Sequence, residues 1–307
     1  MLQPQPAPDR WGANRREVRN HTIDSTYWNH FRFRPGDIVT VTWAKTGTTW
    51  LQQILSQLIF EGAEGLPVQM MSPWVELRAV PIHFTVATLE AQTHRRFMKS
   101  HLPADVLPIS PMAKYLYVAR DGRDVLWSWH NHHRRMSPMA LAALNGGPGR
   151  VGPPLHPANE NQREYFHEWL DHDGYPLWPF WSHVQSWWEL RHHPDVLLVH
   201  FNHLKADLAG QIRRIARFLN IDVNPDLLPT ILEHCSFEYM KAHAKTLLPV
   251  FEGGLNGGSQ AFIHKGTNGQ WREVLTPDDI AKYEKFANRN LSPDCARWLA
   301  TGEGDIG

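Results

Sequence analysis

The sequence has few cysteines, no net charge and no long apolar run. Cys235 and Cys295 are the only cysteines among 307 residues, and they lie far apart without the spacing of metal ligands. We therefore expect neither a disulfide framework nor a zinc site. Lysine plus arginine and aspartate plus glutamate number 31 each, so no overall charge favours nucleic acid or an anionic membrane. Any anion-binding site must be a local cluster.

Segments that target or anchor a chain are also missing. No stretch approaches the roughly 18 apolar residues of a membrane span. The N-terminus lacks the basic and then apolar pattern of a secretory signal. These features indicate a cytoplasmic protein that has no nucleic-acid partner and no membrane span.

One domain is expected, because the chain can bury a large core and shows neither an internal repeat nor a linker. Residues 1–16 are proline-rich and polar, which predicts a flexible N-terminal arm and leaves residues 17–307 for the domain. Strand and helix patterns alternate there, so we predict an α/β fold with a central parallel β-sheet flanked by helices. The predicted strands are residues 37–43, 95–103, 114–120 and 196–201, and the predicted helices are residues 51–60, 125–133, 178–191 and 208–219.

Three further segments carry local signals. Residues 72–76 predict a turn that enters a short helix. Residues 136–161 contain many glycines and prolines, and loops of that length are usually functional lids or disordered, so both interpretations stay open. Thr276 is expected to be the N-cap of the last helix, with Pro277 at its first position.

A strand, a short turn and an amphipathic helix follow one another between Asp37 and Leu55. The turn reads Ala44-Lys45-Thr46-Gly47-Thr48-Thr49-Trp50. Backbone N–H groups at the start of a helix favour an anion, and lysine and threonine side chains add donors. The lysine precedes a single glycine, unlike the usual nucleotide-hydrolase loop. The pattern predicts a P-loop-like phosphate site, and the alternative is an ordinary turn with a threonine cap.

Basic and hydroxyl side chains recur at other strand ends. They are Lys99-Ser100-His101, Arg120 with Ser128, and Lys265-Gly266. A helix that begins near Asp124 places Ser128 about one turn in, where it and Arg120 can reach one anion. We therefore expect a ligand with two separate phosphate groups, and Trp50 is placed to stack on an aromatic base.

Four motifs, in order, resemble those of cytosolic-type sulfotransferases. T-W-A-K-T-G-T-T-W (42–50) is similar to the family's 5′-phosphosulfate loop, Y-P-K-S-G-T-T-W. Y-V-A-R-D-G-R-D-V-L-W-S (117–128) resembles its 3′-phosphate motif, Y-x-x-R-N-x-x-D-x-x-x-S. K-S-H-L-P (99–103) resembles K-T-H-L-P, and H-K-G-T-N-G-Q-W (264–271) resembles R-K-G-x-x-G-x-W. The resemblance runs from about residue 36 to about residue 286 and suggests a bacterial-like member of the family.

The resemblance implies the donor 3′-phosphoadenosine 5′-phosphosulfate, in-line transfer of its sulfuryl group to a hydroxyl or amine, and no metal. It implies that His101 is the catalytic base, with Lys99 as its cationic neighbour and Lys45 on the phosphosulfate bridge. The donor-binding positions that it implies are Lys45, Thr46, Gly47, Thr48, Thr49, Trp50, Arg120, Ser128, Ser236, Phe237, Met240, His264, Lys265 and Gly266.

The chain departs from the family pattern at several positions. His264 stands where the family has arginine, which weakens the 3′-phosphate contact unless the ring is protonated or Arg123 compensates. Phe201 replaces a frequent tyrosine and Cys235 replaces a threonine, both near the expected adenine site. Pro277 interrupts the family's C-terminal dimer motif, so the sequence leaves the oligomeric state open.

The sequence gives indirect evidence on the acceptor through its aromatic residues. Aromatic residues that suggest an apolar acceptor pocket or lid, with plain core burial as the alternative, are Trp127, Trp129, Trp178, Phe180, Trp181, Trp187 and Trp188. A small phenol or alcohol is therefore the expected acceptor.

A nucleotide-dependent kinase is disfavoured because acidic Mg²⁺ ligands are not evident. A non-catalytic nucleotide-binding protein is disfavoured because it needs neither Lys45 nor His101.

Overall fold

The computed structural model describes residues 15–146 and 151–306. Most of the predicted N-terminal arm, residues 1–16, therefore lies outside the described residues. At the centre is a sheet of four strands, β1 (Asp37–Thr42), β2 (Phe97–Ser100), β3 (Ala113–Ala119) and β4 (Val196–His200). The strands are ordered β2-β1-β3-β4 and all three pairings are parallel. The predicted α/β fold with a central parallel sheet is confirmed.

Helices flank this sheet. Within the described ranges there are sixteen α-helices and two short 3-10 helices, the latter at Ser25–His30 and Gln270–Glu273. The α-helices are α1 (Thr48–Ile59), α2 (Val68–Met71), α3 (Ile82–Glu90), α4 (Gly122–His133), α5 (Pro138–Gly146), α6 (Gln162–Asp171), α7 (Trp181–Trp188), α8 (Phe201–Ala206), α9 (Leu208–Leu219), α10 (Leu228–His234), α11 (Phe237–Ala242), α12 (Ala244–Leu247), α13 (Phe251–Gly254), α14 (Gly258–Phe262), α15 (Pro277–Asn290) and α16 (Pro293–Thr301).

Both faces of the sheet are buried, which explains the nearly continuous apolar runs of its strands. Successive side chains of a strand point to opposite faces. Val41 of β1 and Tyr117 of β3 accordingly belong to one apolar cluster, which includes the tryptophans of α6 and α7. Ile38 and Leu116 belong to the other cluster, to which α1 and α9 contribute.

Most predicted elements are found, with shifted ends. Helix α9 has the predicted bounds, whereas α1 begins at Thr48, before the predicted position 51. Helix α7 begins at Trp181, after the predicted position 178. The reason is that Oδ1 of Asp173 accepts hydrogen bonds from the backbone N–H groups of Phe180 and Trp181, at 2.9 and 3.2 Å. This cap lies in the preceding turn, outside the helical pattern.

The expectation of a short helix entered at residues 72–76 is wrong. Trp74 instead forms a parallel bridge with Lys99 of β2. The Lys99 N–H donates to the Pro73 carbonyl at 3.0 Å, and the Val75 N–H donates to the Lys99 carbonyl at 3.2 Å. The backbone groups of Pro73 and Val75 therefore pair with the free edge of β2 instead of forming the hydrogen bonds of a helix. The next helix, α3, begins at Ile82.

The start of α15 agrees with its sequence signals. The Thr276 hydroxyl accepts from the N–H of Asp279, and the Asp279 carboxylate accepts in return from the N–H of Thr276. This reciprocal capping box precedes Pro277, which occupies the first helical position as predicted.

The long segment 136–161 contains α5, and its residues 147–150 lie outside the described part. The Asn145 side chain holds the segment together, because it donates to the Leu155 carbonyl at 2.9 Å and accepts from the Leu155 N–H at 2.7 Å. The N–H of Ser137 donates to the Gly254 carbonyl at 3.0 Å. The described part of this segment is thus joined to the glycine-rich stretch near residue 254.

Candidate active site

The C-terminal ends of β1, β2 and β3 open into one cavity of about 1120 Å³. Every predicted site residue except Thr46 lines it. The Thr46 hydroxyl is buried and donates to the carbonyls of Trp43, at 3.0 Å, and Val118, at 2.8 Å. The interpretation of that hydroxyl as a phosphate ligand is therefore corrected: it ties the turn to the sheet.

The turn after β1 has a backbone that exposes the start of α1. Lys45 has a φ of 69° and Gly47 a φ of 122°. A β-carbon at Gly47 would also lie 3.1 Å from Cδ2 of Phe201, so glycine is required for both conformation and space. Among the described residues no side chain caps α1, and the Thr48 hydroxyl is bonded to that of Thr42 at 2.7 Å. In that part of the chain the first N–H groups of the helix therefore have no side-chain acceptor, which favours a bound anion over the threonine-cap alternative.

Three cations reach this cavity without a carboxylate partner. Within the described ranges, Lys45, Lys99 and Arg120 form no ion pair within 4 Å of a carboxylate. Burial, with the charges of Lys99 and Arg120, lowers the pKa of Lys45 to about 7. Burial lowers the pKa of Lys99 to about 8, against an opposing effect of Glu76. Buried cations that form no direct ion pair favour an anionic ligand.

His101 follows β2 and is buried in the cavity wall. Its Nδ1 lies 2.7 Å from the Thr42 carbonyl oxygen. Because a carbonyl can only accept, Nδ1 carries the hydrogen and Nε2 keeps its lone pair. Burial, and then the charge of Lys99, holds the pKa of His101 well below its usual value. The ring is therefore neutral near pH 7, and Nε2 is free to accept a proton.

Arg120 follows β3 and is held by the 264–271 segment. Its Nε donates to Oδ1 of Asn268 and its Nη2 to the Thr267 carbonyl, both at 2.9 Å. The guanidinium carbon lies 4.3 Å from the Phe201 ring centroid. Gly266 has a φ of 62°, and a β-carbon there would lie 2.8 Å from Cδ2 of Phe237. The segment therefore needs this glycine to approach the aromatic wall.

Apolar residues form the wall beside α1. The Trp50 Nε1 donates to the Cys235 carbonyl at 2.8 Å, and its ring meets that of Phe201 edge to face at 5.4 Å. The Cys235 thiol is buried outside the cavity lining. Ser236 caps α11 with its hydroxyl. Cysteine in place of the family's threonine at position 235 thus leaves the contact with Trp50 intact, because the backbone carbonyl makes that contact.

The cavity wall contains only part of the predicted aromatic set. Trp127, Trp129 and Trp178 line it. The others are packed in the core instead: Phe180, Trp181, Trp187 and Trp188. Sequence reasoning missed Trp74, whose ring stands edge to face with that of His101 at 4.6 Å. The bridge of Trp74 to β2 brings it there, and no local pattern signals that pairing.

The rim of the cavity is apolar and exposed. Phe84 on α3, Met139 on α5 and Val250 before α13 line the cavity with 60%, 63% and 57% of their surfaces exposed. Exposed apolar residues grouped around an opening favour an apolar ligand.

Two other classes of site are not found in the described ranges. No group of three or more histidine, cysteine, aspartate or glutamate side chains there has the geometry to hold a metal ion. No helix among the described residues is both long and apolar enough to cross a membrane.

Known proteins resemble this chain over most of its length. It is 29% identical over 306 residues to a glycolipid sulfotransferase of Mycobacterium bovis, covering 92% of this chain and 94% of the relative. It is 30% identical over 274 residues to sulfotransferase 1B1 of Mus musculus, covering 85% of each. The fold resembles that of retinol dehydratase in a complex with retinol and PAP, with a TM-score of 0.69, 23% identity, and 88% of this chain and 87% of that chain covered.

A family model defines the relationship. The model described as the sulfotransferase domain matches residues 35–293, a range that contains all four strands of the sheet and every residue described above in the cavity wall. The chain belongs to the sulfotransferase family.

Proposed function

We propose that the protein transfers the sulfuryl group of 3′-phosphoadenosine 5′-phosphosulfate to a hydroxyl of an apolar acceptor. The observation that carries this proposal is the meeting of Lys45, Lys99 and a neutral His101 in one cavity. The lysines gather positive charge for the donor, and the histidine offers a free lone pair to the acceptor. An amine in place of the hydroxyl would use the same groups.

Each end of the donor would contact a different segment. The N–H groups at the start of α1, with Thr48, Thr49 and Lys45, would bind the 5′-phosphate. Arg120, Ser128, His264, Lys265 and Gly266 would bind the 3′-phosphate. Adenine would pack between Trp50 and the residues Ser236, Phe237 and Met240. All of these residues line the same cavity.

When bound, the donor supplies the sulfuryl group and a phosphate leaving group. His101 Nε2 would accept the hydroxyl proton as the acceptor oxygen forms its bond to sulfur. Lys45 would stabilise the charge that develops on the bridging oxygen as the old sulfur–oxygen bond breaks. Lys99 would stabilise the equatorial sulfuryl oxygens. Positioned cations of this kind supply most of the catalysis in related group transfers.

The acceptor would be a phenol or an alcohol with a large apolar part. The apolar rim at Phe84, Met139 and Val250 supports this class. So does the similarity to relatives named for sulfation of glycolipids. A cytoplasmic location belongs to the same proposal, since both cysteines are free.

Turnover with radiolabelled donor tests the function. The acceptors would be 2-naphthol as a simple phenol and octyl β-glucoside as an amphiphilic alcohol. We expect labelled sulfate ester from at least one. Adenosine 3′,5′-bisphosphate should raise the melting temperature, and ATP should not, because ATP lacks a 3′-phosphate. Stabilisation by ATP alone would instead favour the kinase alternative.

A further inference from the structure

Glu76 is a buried carboxylate next to the proposed reacting groups, and no sequence motif pointed to it. Its side chain is 0% exposed. It follows the bridge between Trp74 and Lys99, and so it lies behind the wall of the cavity. Burying a carboxylate costs free energy unless hydrogen bonds or charges compensate.

Four donors converge on this carboxylate. Oε1 accepts from the His101 backbone N–H at 2.5 Å, the Trp74 Nε1 at 2.7 Å and the Ser100 hydroxyl at 3.1 Å. Oε2 accepts from the Trp28 Nε1 at 2.9 Å. Oε1 of Glu76 is thus hydrogen-bonded both to the backbone of His101 and to the indole of Trp74, which packs edge to face against the His101 ring.

The hydrogen bonds match the ionised form. Burial raises the pKa of Glu76 above its usual value, and the bonds from His101, Trp74 and Trp28 oppose that rise. Within the ranges 15–146 and 151–306, no cation lies within 4 Å of Glu76. Four donors suit an acceptor-only carboxylate, whereas a protonated group would bring a hydrogen of its own into a ring of donors.

Lys99 and Glu76 meet at the same indole: the Lys99 Nζ lies 4.8 Å from the centroid of the Trp74 ring, and the Trp74 Nε1 donates to Glu76. The charge of Glu76 raises the pKa of Lys99 against the burial that lowers it. The other titratable groups that act with Lys99 are Lys45 in the turn after β1, His101 at the end of β2 and His132 on α4. None of these three is negative, so they do not support the charge of Lys99.

We propose that Glu76 is a positioning residue for the sulfuryl transfer: one of its oxygens fixes His101 and Trp74 together, and its charge favours the protonated form of Lys99. The proposal rests on the proposed function. It has two separable parts, one electrostatic and one geometric, and each has its own variant.

The electrostatic part is tested without turnover. Glu76→Gln removes the charge in a side chain of the same shape. Trace acetylation of Lys99 in the ligand-free protein, followed by mass spectrometry from pH 6 to pH 11, gives its titration. We expect the Lys99 pKa to fall by about half a unit or more, because a nearby opposite charge is lost. Glu64→Gln, at an exposed carboxylate, is the control and should leave Lys99 unchanged. An unchanged Lys99 titration in Glu76→Gln overturns this part.

Glu76→Asp tests the geometric part. It keeps the charge but shortens the reach to His101 and Trp74. We expect kcat with the better acceptor of the pair to fall about tenfold or more, because small displacements of reacting groups are costly. The Kd for adenosine 3′,5′-bisphosphate and the Lys99 titration should stay at wild-type values. A kcat within twofold of wild type, or an equal loss of nucleotide binding, overturns the geometric part.

With the two variants, misfolding and failure of the proposed function can each be distinguished from failure of the inference on Glu76. If Glu76→Gln does not fold, Glu76→Asp still decides through its split between kcat and nucleotide binding. If the wild-type protein sulfates neither acceptor, the proposed function fails, and the Lys99 titration still reports the electrostatic part. If wild type turns over and both variants behave like it, only the inference on Glu76 fails.

Discussion

The Nζ atom of Lys45 lies 3.6 Å from the centroid of the Phe262 ring. Phe262 also stacks on Phe251, with ring centroids 4.2 Å apart. The aromatic pair therefore covers the lysine of the phosphate turn and comes just before the 264–271 segment. It excludes water from Lys45, and its ring faces favour the charged ammonium.

Phe262→Leu should lower the pKa of Lys45 further, from its value of about 7. Leucine keeps the burial that lowers this pKa but removes the attraction of the ring, which favours the protonated form. We expect a decrease of about half a unit to one unit, measured by trace acetylation against pH. Phe262→Ala is the matched comparison: it admits water, so the Lys45 pKa should rise. Equal values in wild type and Phe262→Leu would show that the ring acts only by burial.

His101→Ala should reduce kcat by roughly 10² or more, the usual contribution of a general base. The melting-temperature increase given by adenosine 3′,5′-bisphosphate should persist, because His101 is not among the residues proposed to bind the nucleotide. The exposed His172 supplies a control variant, His172→Ala. Turnover of His101→Ala within threefold of wild type would contradict the assignment of the base.

Arg120→Ala should weaken adenosine 3′,5′-bisphosphate much more than adenosine 5′-monophosphate. Each charge-assisted contact is worth about 1.5–3 kcal/mol, and only the bisphosphate carries the 3′-phosphate. Calorimetric titration measures both, with Arg213→Ala on the exposed side of α9 as a control. Equal losses for the two nucleotides would mean that Arg120 acts through its bonds to Asn268 and Thr267.

The affinity for adenosine 3′,5′-bisphosphate should fall as the pH rises from 6 to 8.5. In the empty site, burial and then the charges of Arg135 and Lys265 lower the pKa of His264. A 3′-phosphate beside the ring should raise that pKa, so binding takes up a proton. Affinity is then highest below the pKa of the free protein and is lost as the pH rises to that of the complex.

The control for this pH dependence is His264→Arg, whose charge does not titrate in the range. It reports the ionisation of the phosphates alone. Calorimetry of both proteins at pH 6 and pH 8.5 gives the difference. Parallel pH dependences would show that His264 has no electrostatic part in the binding.

Local patterns predicted the parallel sheet and the turn after β1, and all but one of the predicted site residues line the cavity. They succeeded because, in the turn and in the 264–271 segment, the residues that line the cavity lie next to one another in the sequence. Thr46 was misassigned because its hydroxyl bonds to Val118, a residue of a neighbouring strand. The tryptophans could not be sorted by sequence, since an indole in the core and one in a cavity wall have the same helical spacing. Trp74 reaches His101 only through the pairing of its segment with β2.

Under the proposed function, the cluster of Lys45, Lys99 and Arg120 also sets how the reaction ends. The spent nucleotide keeps both phosphate groups of the donor, and the groups that hold them do not change when sulfate leaves with the acceptor. Within the described ranges none of the three side chains forms an ion pair with a carboxylate, so the phosphate groups of the spent nucleotide supply that contact and favour its retention. Product inhibition by the bisphosphate follows, and sustained turnover then depends on a separate reaction that removes its 3′-phosphate.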